Sequence, residues 1–258
     1  MRTDSQLAPS FAVMHHSACG YSDAEFVAIY DACIAESFID RLFPIIDRLV
    51  LKHISRTARL LDLCCGTGNL ACRLSHCGYR VTGIDNSSAM LERARQKLPE
   101  AEFIEADARW LSVSRTFDAA FCTFNALAHF ASAQELRAVF SRVHSSIDTA
   151  GFFFFDLNTE EAYRERWRGS FGATHDGTEW QVEPWYDQRS RTAHNRIRLK
   201  NGVRACELNV TQHCFQQTEI LGALRESGFG QCRSFDAALE LGVPNENGHL
   251  IFIATKSS

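Results

Sequence analysis

The stretch Arg59-Leu-Leu-Asp-Leu-Cys-Cys-Gly-Thr-Gly68 decides how the rest of the chain is read. Leu60, Leu61 and Leu63 form a short apolar run, the mark of a strand buried on both faces. Cys64 and Cys65 are small enough to follow it inward. Gly66-Thr67-Gly68 then stops the strand, because glycine reaches positive φ at little steric cost and lets a ligand approach the backbone. From Asn69 onward, Leu70, Ala71 and Leu74 take up helical spacing. A strand, a glycine turn and a helix N-terminus together cradle a polar, nucleotide-like ligand. About 20 residues on, Val81-Thr-Gly-Ile-Asp85 is a second strand ending in a carboxylate, where ribose hydroxyls are gripped in nucleotide-binding sheets.

Working outward, strands and helices alternate. The first strand covers roughly 58–64, its helix 69–77 and the second strand 80–85. The next helix has Ser87 or Ser88 as N-cap and runs to Leu98, where Pro99 stops it. Glu102–Asp107 is a third strand ending in another acid, and Phe117–Cys122 a fourth, followed by Thr123-Phe124-Asn125. A helix over 132–146 leads to Gly151–Asp156, a fifth strand apolar on both faces and therefore central. Five strands in this alternation predict an α/β, doubly wound, mostly parallel sheet.

Flanking segments break the pattern. Residues 1–57 form an N-terminal preface in which Phe26, Ile29, Tyr30, Ile34 and Phe38 recur at helical spacing, either as core packing or as a lid. Pro44 opens or kinks a further helix there, and His15-His16 lacks partners at metal-ligand spacing. The sheet-forming domain spans 58–170 and 216–258. Within it, the charged helix Glu160–Arg168 reads as a solvated face carrying Arg164, Arg166 and Arg168. Residues 171–215 alternate aromatic and β-branched runs with turn signals such as Asp176-Gly177 and Asn201-Gly202, which predicts an antiparallel insert. A helix over 218–227 closed by Gly228 and strands near 231–235 and 249–254 complete the domain.

The 258 residues are 45% hydrophobic with a formal net charge of −4, so no global basic field exists for gripping nucleic acid. The ten cysteines show no Cys-x-x-Cys pair and no zinc spacing, so no metal is expected and the thiols read as reduced. Met1–Phe11 lacks the charged start and apolar core of a signal peptide, and no apolar run reaches the ~18 residues of a membrane span. These features point to a cytoplasmic protein with a small-molecule partner and no membrane. The oligomeric state stays open, a homodimer among the options.

On these residues the chain resembles the class I S-adenosylmethionine-dependent methyltransferases, over about 58–158 and again 217–256. Asp62-Leu-Cys-Cys-Gly-Thr-Gly68 is similar to the family's first motif, an acid preceding a glycine loop. Its usual first glycine is Cys64 here, as in glycine N-methyltransferases, which carry a small non-glycine residue there. The resemblance implies that Asp62, Cys64, Gly66 and Gly68 shape the S-adenosylmethionine site and that Asp85, with Asn86 behind it, binds ribose. It further implies that Asp107 and Ala108 read adenine, and that Thr123 and Phe124 line the methionine and adenine. Ile29-Tyr30-Asp31 is similar to a segment that closes over the cofactor in some relatives. Fold and reaction follow as implications: sheet order 3-2-1-4-5-7-6 with the seventh strand antiparallel, an insert that roofs the substrate, and direct in-line displacement onto a small molecule. The insert looks like that of small-molecule methyltransferases, including aminosugar N-methyltransferases, and the product is S-adenosylhomocysteine.

Other readings stay open at this level. Gly66-Thr-Gly-Asn-Leu-Ala71 also satisfies the G-x-G-x-x-G/A fingerprint of NAD(P)-dependent oxidoreductases, although such a site has no particular use for Asp62 or Asp107. A non-catalytic nucleotide-binding module of the same fold is a third reading. His129, after the fourth strand, is a candidate general base or a packed histidine. Trp180, Trp185 and Tyr186 are either an aromatic substrate wall or hairpin core. His194, Arg196 and Arg198 share one strand face near Arg189, Arg191 and Arg204, either an anion site or a solvated face.

Overall fold

Leu60, Leu61 and Leu63 have no solvent exposure, which requires cover on both faces of their strand, and the architecture supplies it. The computed structural model describes residues 17–18, 21–114 and 116–256; His15 and His16 lie outside them. The strands are β1 (Ser17–Ala18), β2 (Arg59–Leu63), β3 (Arg80–Asp85), β4 (Glu102–Glu105), β5 (Phe117–Cys122) and β6 (Ile147–Asn158). They continue as β7 (Phe171–His175), β8 (Thr178–Asp187), β9 (Thr192–Asn201), β10 (Arg204–His213), β11 (Phe229–Asp236) and β12 (His249–Lys256). The helices are α1 (Ala24–Tyr30), α2 (Glu36–Leu49), α3 (Asn69–His76), α4 (Ser88–Lys97), α5 (Ala133–Ser146), α6 (Glu160–Arg166) and α7 (Gln217–Glu226).

Seven strands form one sheet in the order β4-β3-β2-β5-β6-β12-β11, which is the 3-2-1-4-5-7-6 order with β12 antiparallel to both neighbours. One face is packed by Leu136, Val139, Phe140 and Val143 of α5 with Ile220 and Leu224 of α7. The other is packed by Leu42, Ile45 and Ile46 of α2, Leu70 and Leu74 of α3, and Leu91 and Ala94 of α4. The local signals behave as physics requires. Ser87 Oγ caps α4 by accepting from the Met90 amide at 3.2 Å, and Ser132 Oγ caps α5 through the Glu135 amide at 3.2 Å.

Two expectations are corrected. Pro44 does not open a helix: it sits inside α2, which continues from α1 through a π-helical turn at Asp31–Ala35. Its missing N–H leaves only the carbonyl of exposed Asp40 without a partner, and water can serve that group. The loop of the β9–β10 hairpin is Gly202-Val203, since Asn201 pairs with Arg204 and bonds Thr178 Oγ1 through its amide at 2.9 Å.

The insert forms a second sheet, β1-β10-β9-β8-β7. Its inner face carries Val182, Ile197, Leu208 and Val210, which pack on Phe26, Val27 and Ile29 of α1 and on Met90 of α4. α1 and the insert are thus packed together above the carboxyl edge of the large sheet, while α2 packs on that sheet's face. The outer face holds Arg196 and Arg198, which pair with Glu183 and Glu207 across the strands, while Arg204 lies on the α1 side and pairs with Asp23 and Glu25. The arginine face is a solvated ladder of ion pairs directed away from the interior. Trp185 stacks on His194 on that same outer face, and Tyr186 stacks on Tyr163. Trp180 packs in the cluster beneath α1, so all three aromatics are hairpin packing and none forms a substrate wall.

Candidate active site

The carboxyl edge of the large sheet, α1 and the inner face of the insert enclose a cavity of about 660 Å3. That lies within the roughly 300–1,000 Å3 of small-molecule sites. Cys64, Gly66, Asp85, Asn86, Asp107, Ala108, Thr123, Phe124, Tyr30 and His129 all reach its wall. Asp62 and Gly68 do not. Gly68, at φ +76°, is the N-cap of α3, and a Cβ there would stand 2.9 Å from Ala94 Cβ. Its role is to let α3 and α4 approach.

The glycine loop is held by an acid. The Gly66 amide donates to Asp85 Oδ2 at 2.9 Å, and the Ser87 amide to Asp85 Oδ1 at 2.9 Å. Burial raises the Asp85 carboxyl above the usual range despite these amides. Asp62 lies one layer behind the loop, 1% exposed. Its Oδ2 has no hydrogen-bond partner, and burial pushes the carboxyl up to about 8, with the Ala71 amide only partly opposing this. Asp107 is differently placed. Arg109 grips it through Nη2 to Oδ2 at 2.6 Å and its own backbone amide to Oδ1 at 2.8 Å, which holds the carboxyl below its usual range. Arg109 also bonds Glu135 Oε1 at 2.6 Å, so the guanidinium is already neutralised.

Above the loop sits Tyr30, whose Cε1 lies 3.9 Å from where a Gly66 side chain would begin. Its ring meets Phe124 edge-on at 5.7 Å. The next residue, Asp31, ties this lid down: it accepts from Thr67 Oγ1 at 2.7 Å and Arg93 Nε at 2.9 Å, and from Lys97 Nζ. Burial favours its neutral form, but these donors outweigh it and lower its pKa. His129 lies edge-on to Tyr21 at 5.8 Å, and burial, with His213 nearby, drives its pKa down to about 4.

The inner end of the cavity escapes a reading of the sequence. Asp156, Asn158, Arg166, Glu246 and His249 line it, with Asn195 and Gln212 above. Arg166 is a correction: it does not face solvent with Arg164 but turns inward to Glu246 and to Asn158 Oδ1 at 2.6 Å. The one available signal was the apolar run Phe152–Phe155 ending in Asp156-Leu-Asn158, a further strand-terminal acid on the ligand-binding edge.

Cys64 adopts φ +55°, a conformation that suits glycine and strains other residues by about 1–3 kcal/mol. Cys64→Gly is therefore expected to keep its melting temperature within about 2 °C, lost packing offsetting relieved strain. Cys64→Val, β-branched at positive φ, is expected to melt roughly 3–6 °C lower. Thermal denaturation of the two variants checks this; equal losses would remove the strain account.

A family model described as a methyltransferase domain matches residues 60–151, the stretch that carries the glycine loop and the acids at Asp85 and Asp107. That stretch carries a methyltransferase domain, and the chain as a whole has the Rossmann-like methyltransferase fold. Among its relatives, the dTDP-3-amino-3,6-dideoxy-alpha-D-glucopyranose N,N-dimethyltransferase of Streptomyces fradiae is 37% identical over 94 residues, 36% of this chain and 37% of its own length. The trans-aconitate 2-methyltransferase of Paracidovorax citrulli is 46% identical over 76 residues, 28% of either protein. The chain spans about half or less of the length of the curated relatives it matches. The sugar N-methyltransferase KedS8 from Streptoalloteichus sp. superposes with a TM-score of 0.72 at 18% identity, covering 98% of this chain and 100% of that one, a likeness of fold. The oxidoreductase reading is not favoured by these comparisons. Among the described residues no helix is long and apolar enough to cross a membrane, and no cluster of metal-binding side chains occurs.

Proposed function

We propose that this methyltransferase transfers the methyl group of S-adenosylmethionine to an amine nitrogen of a small molecule. The observation that carries the reading is the charge of the cavity wall. Asp85, Asp107, Glu135, Asp156 and Glu246 face Arg109, Arg166 and His249, and each of those cations is already paired with one of the carboxylates. An excess of carboxylate suits a ligand bearing an ammonium and a sulfonium, and the partnerless Asp62 oxygen behind the glycine loop favours positive charge at the same place. S-adenosylmethionine, when bound, supplies a methyl on a sulfonium ready for displacement by a nucleophile in line. The chain would hold it through Asp85 for a diol, Asp107 and Ala108 for the base, and Tyr30, Thr123 and Phe124 for apolar packing and the exclusion of water.

The same wall bears on the acceptor. A hydroxyl acceptor needs a base, and His129, at about 4, is a weak one. His249 is held near 9 with both ring nitrogens engaged and has no lone pair to offer. A carboxylate acceptor, as in the trans-aconitate enzymes, needs an unpaired cation, and none faces the cavity among the described residues. An amine brings its own lone pair. Asn158, Asn195 and Gln212 add neutral hydrogen-bonding groups suited to hydroxyls beside that amine, which agrees with the sugar substrates in relatives' names. The ten cysteines, with no Cys-x-x-Cys pair among them, suit a reducing, cytoplasmic setting for the reaction.

Two measurements test this. S-adenosylmethionine and S-adenosylhomocysteine are expected to raise the melting temperature, while NAD and NADP leave it unchanged. With a panel of amino sugars, the parent sugars and tricarboxylates, methyl transfer is expected on the amines alone, with a rate that rises with pH through the acceptor's own pKa. A shift with NAD alone removes the methyltransferase reading. Equal turnover of tricarboxylates removes the amine.

A further inference from the structure

Phe124 and Asn125 follow β5 with φ +66° and +56°, two consecutive non-glycine residues in the left-handed region. Such a conformation strains the backbone, most of all at Phe124, and persists only where its surroundings hold it. We infer that His249 is a positioning residue: through Asp156 it locks the Phe124–Asn125 turn and so fixes the floor of the cofactor half of the cavity. The words "cofactor half" rest on the function proposed above; the lock itself does not.

Asp156 Oδ1 accepts from the Phe124 amide at 2.8 Å and Oδ2 from the Asn125 amide at 2.7 Å, so one side chain clamps both strained residues. The carboxylate has no solvent exposure, and two neutral amides do not compensate a buried charge. His249, 4% exposed, supplies the countercharge, with Nε2 2.8 Å from Asp156 Oδ2. Its other nitrogen, Nδ1, faces Glu246 Oε2 at 3.4 Å, and Glu246 is in turn held by Arg166 and, at 3.6 Å, by Arg41. Burial works against charging the imidazole, but Asp156 and Glu246 outweigh it and hold the ring near 9. With donors committed on both sides, His249 is not a free acid or base.

The lock matters because of what the turn carries. The Phe124 ring meets Phe38 edge-on at 4.4 Å and Tyr30 at 5.7 Å, which joins the floor of the site to its lid. From the other side, Asn125 Nδ2 donates to Tyr163 Oη at 2.9 Å, and Tyr163 Oη donates to Gln212 Oε1 at 3.4 Å on the roof. The ion pair is not required for sheet pairing, since β6 and β12 are in register from His249 opposite Asn158 to Thr255 opposite Phe152. What it adds is a fixed carboxylate.

Hydrogen exchange at the Phe124 and Asn125 amides, with calorimetric titration of S-adenosylhomocysteine, tests the lock in His249→Leu and His249→Gln. The leucine variant is expected to lose at least tenfold of the protection at these two amides and about tenfold in affinity. The glutamine variant, which keeps a donor toward Asp156 but supplies no countercharge, is expected to fall between the leucine variant and wild type in both readouts. Unchanged protection in the leucine variant overturns the proposal, as does a glutamine variant as impaired as leucine. If the leucine variant does not fold, Asp156→Asn gives the same readout by placing a donor against an amide, with the same loss expected and unchanged protection again contradicting the lock. If wild type itself does not bind S-adenosylhomocysteine, the cofactor reading fails, and amide protection alone then decides the lock in either direction.

Discussion

Asp85→Ala is expected to weaken S-adenosylhomocysteine binding by at least ~100-fold, whereas Asp107→Ala costs nearer ~10-fold. The two acids stand at the ends of neighbouring strands and look equivalent in the sequence, but their surroundings differ. The Asp85 oxygens accept from the backbone amides of Gly66 and Ser87, with the Asn86 amide adding to them, and the carboxylate keeps capacity for the ribose hydroxyls. Two hydrogen bonds to a charged group are worth about 1.5–3 kcal/mol each. Alanine also releases the Gly66 amide, so the loop itself loses a tether. Asp107 is already gripped by Arg109 at both oxygens, which leaves it one further bond toward an adenine amino group. On its loss Arg109 retains Glu135. Titration of both variants, with circular dichroism to show that they are folded, checks the ratio. Equal or reversed losses would mean that the ribose lies elsewhere.

What could be read in advance follows from how local the signal is. The glycine loop, Asp85 and the Ser87 cap all fall within residues 66–87, a span of 22 residues, and their meaning depends on one local strand–helix–strand unit, so spacing alone places them. The inner end of the cavity was hidden for the opposite reason. Asp156 and His249 are 93 positions apart and meet only because β12 inserts antiparallel beside β6. Arg166 sits in a helix with glutamates at helical spacing, the ordinary pattern of a solvated surface, and nothing nearby announces that Glu246 arrives to turn it inward. The insert posed a third kind of problem. Alternation showed that His194, Arg196 and Arg198 share a face, but which face looks inward is set by α1 packing on Val182, Ile197 and Val210. That is a tertiary fact.

Asp62→Asn is expected to move stability and binding in opposite directions, and pH separates the two. The Asp62 carboxyl is pushed up to about 8 in the folded chain by burial, against about 3.9 in an unfolded one. Because the folded pKa is the higher, the folded state binds the extra proton. Stability is therefore full below about pH 4 and is lost as pH rises through about 8. Each pH unit between the two values is worth about 1.4 kcal/mol, enough to move the melting temperature of a chain this size by roughly 2–4 °C. Asparagine carries no such charge, so between pH 5 and pH 9 the free wild-type protein is expected to lose melting temperature more steeply than the variant. Binding runs the other way. A cation seated against the glycine loop favours the ionised carboxylate, so wild-type affinity for S-adenosylhomocysteine rises with pH between about 6 and 8 and binding releases a proton. The variant is expected to bind up to about tenfold more weakly at pH 8, from loss of a charge that acts across the glycine loop without touching the ligand, with no rise across that range. Calorimetry in two buffers of different ionisation enthalpy counts the proton directly. Parallel pH profiles in the two proteins, with no proton released by wild type, would show that Asp62 does not sense the ligand's charge.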